Sequence, residues 1–265
     1  MNYYKSEVLN ESLIRITDST DVCCYLVVGQ KKACLLDTCC GYGNIKEYAE
    51  TLTNKPIFVI LSHGHYDHMG GAALFDEVYM NHNDLPVFQS HLNIKFKTDI
   101  PEGVSQKDNI PIREAPMLDI KDYQVFDLGN LHVKMIPVKG HTPGMMCPLI
   151  VEQRIIIFGD ACGVSVLLFD ENSSNVSEYR ESLINLKKYE GEYDTIYRNH
   201  GTFFSNKILL DNVIECCDLI LSGKDDHIPS KFNEYNLFAA KETQWPHGRK
   251  DGKEGNILYS IDKAK

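Results

Sequence analysis

The sequence predicts one α+β domain spanning residues 1–265, and three observations predict it. Strand patterns open the chain, a second strand-rich stretch begins after Tyr123, and amphipathic helical patterns fall between and after them. With 43% hydrophobic and 24% charged residues the chain has the composition of a folded domain with a sizeable core.

Ser12 to Thr17, Cys23 to Val28 and Ala33 to Asp37 read as strands, the last two joined as a hairpin by Gly29-Gln30-Lys31-Lys32. Asn44 to Leu52 has helical spacing, with Asn44 as N-cap and Ile45, Tyr48, Ala49 and Leu52 on one face. The continuous apolar run Pro56 to Leu61 suits a strand covered on both faces, and it delivers the chain to Ser62-His63. A short helix is expected from Gly70 to Phe75 and a strand from Glu77 to Met80. Pro86, Pro101, Pro111 and Pro116 break up the segment from Asn81 to Tyr123, where loops and a short helix near Asp84 to His91 are expected, bordering the mouth of a site. Gln124 to Asp127, Leu131 to Pro137 and Arg154 to Phe158 read as strands. Ser177 to Tyr189, capped by Ser177, and Asn206 to Leu221 read as amphipathic helices, and Asn256 to Ile261 as a closing strand.

A net charge of -10 provides no basic surface for a nucleic-acid backbone, so long polynucleotides are excluded as partners and a small-molecule substrate is expected. The segment Met1 to Glu7 lacks the apolar run of a signal peptide and no stretch has the length of a membrane span, which predicts a cytoplasmic protein without membrane partners. Nine cysteines is an odd number, and the adjacent pairs Cys23-Cys24, Cys39-Cys40 and Cys216-Cys217 lack metal-site spacing, so reduced core thiols are expected.

The chemistry concentrates in His63-Gly64-His65-Tyr66-Asp67-His68, four good metal ligands immediately after a buried strand. In an extended loop His63 and His65 reach one ion, while Asp67 and His68 turn toward a second. Further ligands stand at the ends of expected strands: His141 in Gly140-His141-Thr142-Pro143-Gly144, Asp160 in Phe158-Gly159-Asp160-Ala161, and His200 in Asn199-His200-Gly201. Cys162 is assigned to the core, and His82, His91, His132, His227 and His247 lack partner motifs.

This order of motifs resembles the metallo-β-lactamase fold superfamily, from Leu35-Leu36-Asp37-Thr38 through Asn199-His200-Gly201. The resemblance implies an αββα four-layer sandwich and two divalent metal ions. His63, His65 and His141 would bind the first ion, and Asp67, His68 and His200 the second, with Asp160 bridging them. Histidine content favours zinc, and iron or manganese also suits such nitrogen and oxygen ligands. Asp37 resembles the family carboxylate that fixes a ligand histidine. The chain departs from the family's D-T-G at Asp37-Thr38-Cys39-Cys40-Gly41, where Gly41 is expected to take the turn.

The implied activity is hydrolysis, in which a hydroxide held by both ions attacks a small ester, thioester or lactone and Asp67 orients it and shuttles its proton. A small-substrate phosphodiesterase is the alternative, since a two-metal clamp also serves displacement at phosphorus. A β-lactamase ranks lower, because those enzymes usually place a cysteine where Asp160 stands. A non-catalytic metal-binding protein ranks lower too, because all seven ligand positions are filled.

Overall fold

The computed structural model describes residues 3–97, 104–244 and 248–265. They divide into two compact units, Met1–Met135 with Ile150–Glu152, and Ile136–Leu149 with Gln153–Lys265.

The first unit is built on a seven-stranded sheet whose strands neighbour one another in sequence order. β1 (Tyr4–Asn10), β2 (Leu13–Asp18), β3 (Cys23–Val28) and β4 (Ala33–Leu36) form an antiparallel run. The expected turn closes the last pair, with the Gly29 N–H donating to the Lys32 carbonyl at 3.0 Å. α1 (Ile45–Leu52) then begins where the Asn44 side chain accepts from the Glu47 N–H, and it buries Ile45 and Ala49. β5 (Ile57–Ile60) pairs in parallel with β4 and is buried from Phe58 onward, as a strand covered on both faces should be. After α2 (Tyr66–Met69), β6 (Val78–Met80), α3 (Leu85–Lys97) and β7 (Leu118–Asp119), the parallel pairing continues from β5 through β6 to β7.

Several boundaries differ from the sequence expectation. Helical residues start at Tyr66, inside the histidine cluster, and Ala72–Leu74 adds only a single turn. α3 is a full helix of 13 residues rather than a short one. Pro86 does not block it, because a proline in the first turn removes an N–H that has no intrahelical partner. The Arg113 guanidinium holds the chain beyond α3, donating to the carbonyls of Ala72, Phe75, Asp76 and Pro116. Gly41 does take a left-handed turn at φ 77°, and Cys39 shares that conformation at φ 54°.

The chain continues through β8 (Val125–Asp127), β9 (His132–Pro137), β10 (Met146–Ile150), β11 (Ile155–Ile157), β12 (Val166–Leu168), α4 (Val176–Lys187), β13 (Thr195–Tyr197), β14 (Phe204–Ser205) and α5 (Ile208–Leu221). A hairpin, β15 (Ile228–Phe232) and β16 (Tyr235–Ala239), and β17 (Ile257–Tyr259) complete it. One sheet has the order β14-β13-β11-β10-β9-β8 and a smaller one β12-β17-β16-β15. The second unit's core joins Tyr179, Leu183 and Leu186 of α4 to Leu209, Leu210, Val213 and Cys217 of α5. The β15–β16 hairpin escapes sequence reading because only Leu237 and Ala239 of it are buried.

All nine cysteines are buried thiols outside disulfides, as small core residues. Burial pushes the Cys216 thiol up to about 11. Among the described residues no helix is long and apolar enough to cross a membrane.

The cap of α4 is Asn175 rather than Ser177, in a reciprocal box with Glu178. We expect Asn175→Ala to destabilise the fold by about 1 kcal/mol, and Ser177→Ala to cost less. Urea unfolding midpoints of the two variants check the assignment.

Candidate functional site

The site residues of the first unit follow from the parallel pairing of β4 and β5. Leu36 stands opposite Ile60, so the chain leaves both strands side by side as Asp37 and as Ser62-His63. Asp37, 2% exposed, has φ 65° and donates its N–H to the Ile60 carbonyl at 2.9 Å. Its carboxylate accepts from the Ser62 N–H at 2.7 Å and the Ser62 hydroxyl at 2.8 Å, and it lies 2.9 Å from His68 Nδ1.

Proton counting then fixes two imidazoles. A carboxylate only accepts, so His68 Nδ1 carries the proton it shares with Asp37. Ser62 gives its single hydroxyl proton to Asp37, so at 2.9 Å from His63 Nδ1 the same oxygen accepts from that ring. In both rings Nε2 is left as the lone-pair nitrogen suited to a metal.

The rings converge. His63 lies 4.6 Å from His65 and 4.1 Å from His68 between centroids, and Asp67 Oδ2 is 3.7 Å from His68 Nε2. Gly64 is required between the first two histidines, because a Cβ there would stand 2.8 Å from the Phe88 backbone nitrogen and 3.0 Å from the Asp84 carbonyl. The Gly64 N–H donates to buried Asp84 Oδ2 at 2.9 Å. His91 of α3 stacks on His65 at 4.1 Å and 20°, and its Nδ1 accepts from the Tyr66 N–H at 3.4 Å. The helical part of the segment from Asn81 to Tyr123 therefore does adjoin the histidine cluster.

His91 is the neighbour that sequence reading missed. A signal was present: Asp84, Phe88 and His91 recur at helical spacing, and all three meet the loop from Gly64 to Tyr66.

The second unit repeats the device. Ile157 of β11 pairs in parallel with Tyr197 of β13, so Asp160 and His200 leave adjacent strand ends. Asp160 Oδ1 lies 3.4 Å from His200 Nε2 and Oδ2 lies 3.6 Å from His141 Nε2, one oxygen toward each ring. His141 Nδ1 is 2.9 Å from the Leu167 carbonyl, an acceptor, so Nδ1 carries the proton and Nε2 the lone pair. Gly140, just before it, packs so tightly that a Cβ would meet the Tyr179 ring at 2.1 Å. His141 is 5% exposed, whereas the His200 side chain is 40% exposed.

The remaining candidates sit elsewhere. Cys162 is fully buried in the second unit's core, and burial holds its thiol well above the usual range. His82 contacts the Met117 carbonyl, His132 pairs with Glu152, and His227 contacts the Tyr259 hydroxyl. His247 lies outside the described residues.

The profile of the Metallo-beta-lactamase superfamily matches residues 20–194. The chain belongs to the metallo-β-lactamase superfamily. Its fold is accordingly the metallo-β-lactamase fold, mixed α/β with several sheets. It is similar to an "Acyl-coenzyme A thioesterase MBLAC2" of Homo sapiens, 23% identical over 58% of this chain and 63% of that one. It is also similar to the "Probable polyketide biosynthesis zinc-dependent hydrolase BaeB" of Bacillus velezensis, 22% identical over 67% of this chain and 72% of that one. Among solved structures, a metallo-β-lactamase from Pontibacter korlensis superposes with a TM-score of 0.59 at 14% identity, covering 81% of this chain and 99% of that one. The match to the human relative takes in less than two thirds of that protein's length.

The packing at Gly64 yields a direct test. Gly64→Ala forces the His63–His65 loop against backbone atoms of Phe88 and Asp84, and we expect a destabilisation of about 1–3 kcal/mol with reduced metal uptake. Gly191→Ala, where a Cβ has nothing within 4 Å, is expected to leave both unchanged. Thermal unfolding and metal titration of the two variants give the comparison.

Proposed function

We propose that the chain is a single-domain hydrolase of a small ester, thioester or lactone that uses two divalent metal ions. His63, His65 and His141 would hold the first ion, and Asp67, His68 and His200 the second, with Asp160 as the ligand they would share. The observation that carries the metal assignment is the set of hydrogen bonds that fix Nδ1–H of His63, His68 and His141. Each leaves Nε2 to act as a ligand, so the donor set fits the group.

Bound in such a set, divalent ions supply Lewis acidity and a water acidic enough to ionise near neutral pH. The chain's own residues supply the rest. Asp67, with its side chain 24% exposed and held beside His68, orients the attacking water through its carboxylate, takes the proton that water loses, and returns it to the departing alcohol or thiol. The carboxylate of Asp160 has an oxygen toward each of two histidines, the arrangement a bridging ligand needs. The His200 side chain is 40% exposed against 6% for His141, so of these two rings it is the one open to solvent.

Similarity and charge narrow the choice. The relatives named above, an acyl-coenzyme A thioesterase and a probable zinc-dependent hydrolase, favour zinc and an acyl substrate. The net charge of -10 stands against a long polynucleotide substrate.

Elemental analysis of metal-replete protein is expected to give close to two divalent ions per chain, and a value of one or less overturns the two-ion assignment. We further expect His63→Ala and Asp160→Ala to lower hydrolysis by several orders of magnitude with most of the fold retained, while Cys162→Ala keeps its metal and most of its activity. Chromogenic ester, thioester, lactone, β-lactam and bis-phosphodiester substrates distinguish the reaction classes. Turnover confined to the phosphodiester rejects the acyl reading.

A further inference from the structure

We propose that Phe169, Phe232 and Tyr235 form an aromatic shelf that receives the apolar acyl chain of the substrate beside His141. The inference rests on the acyl-hydrolase reading above and adds the substrate class that the site selects.

The tip of the β15–β16 hairpin carries two large rings that its fold does not need. Phe232 and Tyr235 face each other in register, yet they stay 39% and 45% exposed, while Leu237 and Ala239 farther along fill the core. Asn233 makes the tight turn between them at φ 52°. Both rings group with Phe169, at centroid distances of 5.5 Å and 4.7 Å. A contiguous exposed cluster of this kind marks a binding surface more often than isolated apolar residues do.

Its position ties it to the site. Phe169 stands two residues past Leu167, about 7 Å along an extended chain, and the Leu167 carbonyl is the acceptor that orients His141. The segment is then fastened back to the same loop, with the Ser173 hydroxyl donating to the His141 carbonyl at 3.1 Å and the Ser174 N–H to the Gly140 carbonyl at 2.8 Å. Asp170 stiffens the connection by accepting from the backbone N–H groups of Asn172 and Ser173. Phe169 thus projects from a segment fixed at both ends to the His141 loop, and the shelf is held at a set place beside that histidine.

The size of the shelf favours an acyl chain as occupant. Three rings offer far less than the roughly 800 Å² per partner that a stable protein interface buries, but each methylene laid on them gains burial in proportion to its length. Such a shelf discriminates by chain length, and it acts on binding rather than on the chemical step.

The test is a ladder of acetyl, butyryl, octanoyl and dodecanoyl thioesters, run with the metal-replete protein, the Phe232→Ala/Tyr235→Ala double variant and Phe232→Leu. We expect the double variant to lose about tenfold in kcat/KM on the dodecanoyl substrate, through KM, with acetyl turnover and metal content unchanged. Phe232→Leu should retain most of the preference for long chains. An equal loss at every length, or none at any, overturns the shelf. Calorimetric binding of dodecanoate reads the same surface without turnover, and equal affinity in wild type and double variant also overturns it. Should wild type cleave no thioester yet bind dodecanoate about tenfold more tightly than the variant, the shelf stands and the thioester reading falls. A change in sedimentation on substitution, with an unaltered ladder, would assign the rings to contact between copies and reject the proposal.

Discussion

The buried carboxylate of Asp37 sets the orientation of His63 and His68. It is enclosed where β4 ends, in a backbone conformation that costs a non-glycine residue energy, and it is held there by its own N–H on the Ile60 carbonyl. A charge removed from water must be compensated by hydrogen bonds. Ser62 supplies two and His68 a third, so the stabilisation of Asp37 and the orientation of the rings are the same interaction seen from two sides. Because Ser62 passes the constraint on to His63, one carboxylate orders two imidazoles.

The second unit reaches a comparable order without a buried acid. There a backbone carbonyl, that of Leu167, fixes His141, and the parallel register of β11 with β13 brings Asp160 and His200 out together. In both units parallel neighbours put two loops at one sheet end, where side chains from distant parts of the sequence meet on a rigid base. Glycines beside the histidines serve that arrangement through close packing: Gly64 admits the start of α3, and Gly140 admits Tyr179.

The parts of this architecture that were legible in the sequence are those with short-range signatures. The hairpin of β3 and β4, the Asn44 cap, the buried run of β5 and the ligand motifs each depend on residues within a few positions of one another. The six-residue spacing of the first motif is chemical rather than structural, which is why His63, His65, Asp67 and His68 stand out. The parts that were hidden depend on partners far along the chain. His91 has meaning only once α3 lies against the loop it follows, and β12 is only three residues long, its place set by parallel pairing with β17. Ser177 looks like a cap on sequence grounds, but Asn175 can also accept the Ser177 hydroxyl and so satisfies more donors from one position.

The nine cysteines sharpen the reading of the ligand set. Every one is buried, and Cys162, two positions from Asp160, lies in the apolar core with its thiol held protonated by burial. Among the described residues, Cys162 belongs to none of the groups of side chains whose donor atoms lie within 4.8 Å of one another. What remains is imidazole and carboxylate, a harder set than one containing sulfur, and such ligands accept iron and manganese as readily in kind as zinc. The carboxylate at position 160 adds a geometric difference. A thiolate offers a single donor atom, whereas Asp160 turns separate oxygens toward His141 and His200. A carboxylate so placed would suit the bridging role proposed for Asp160.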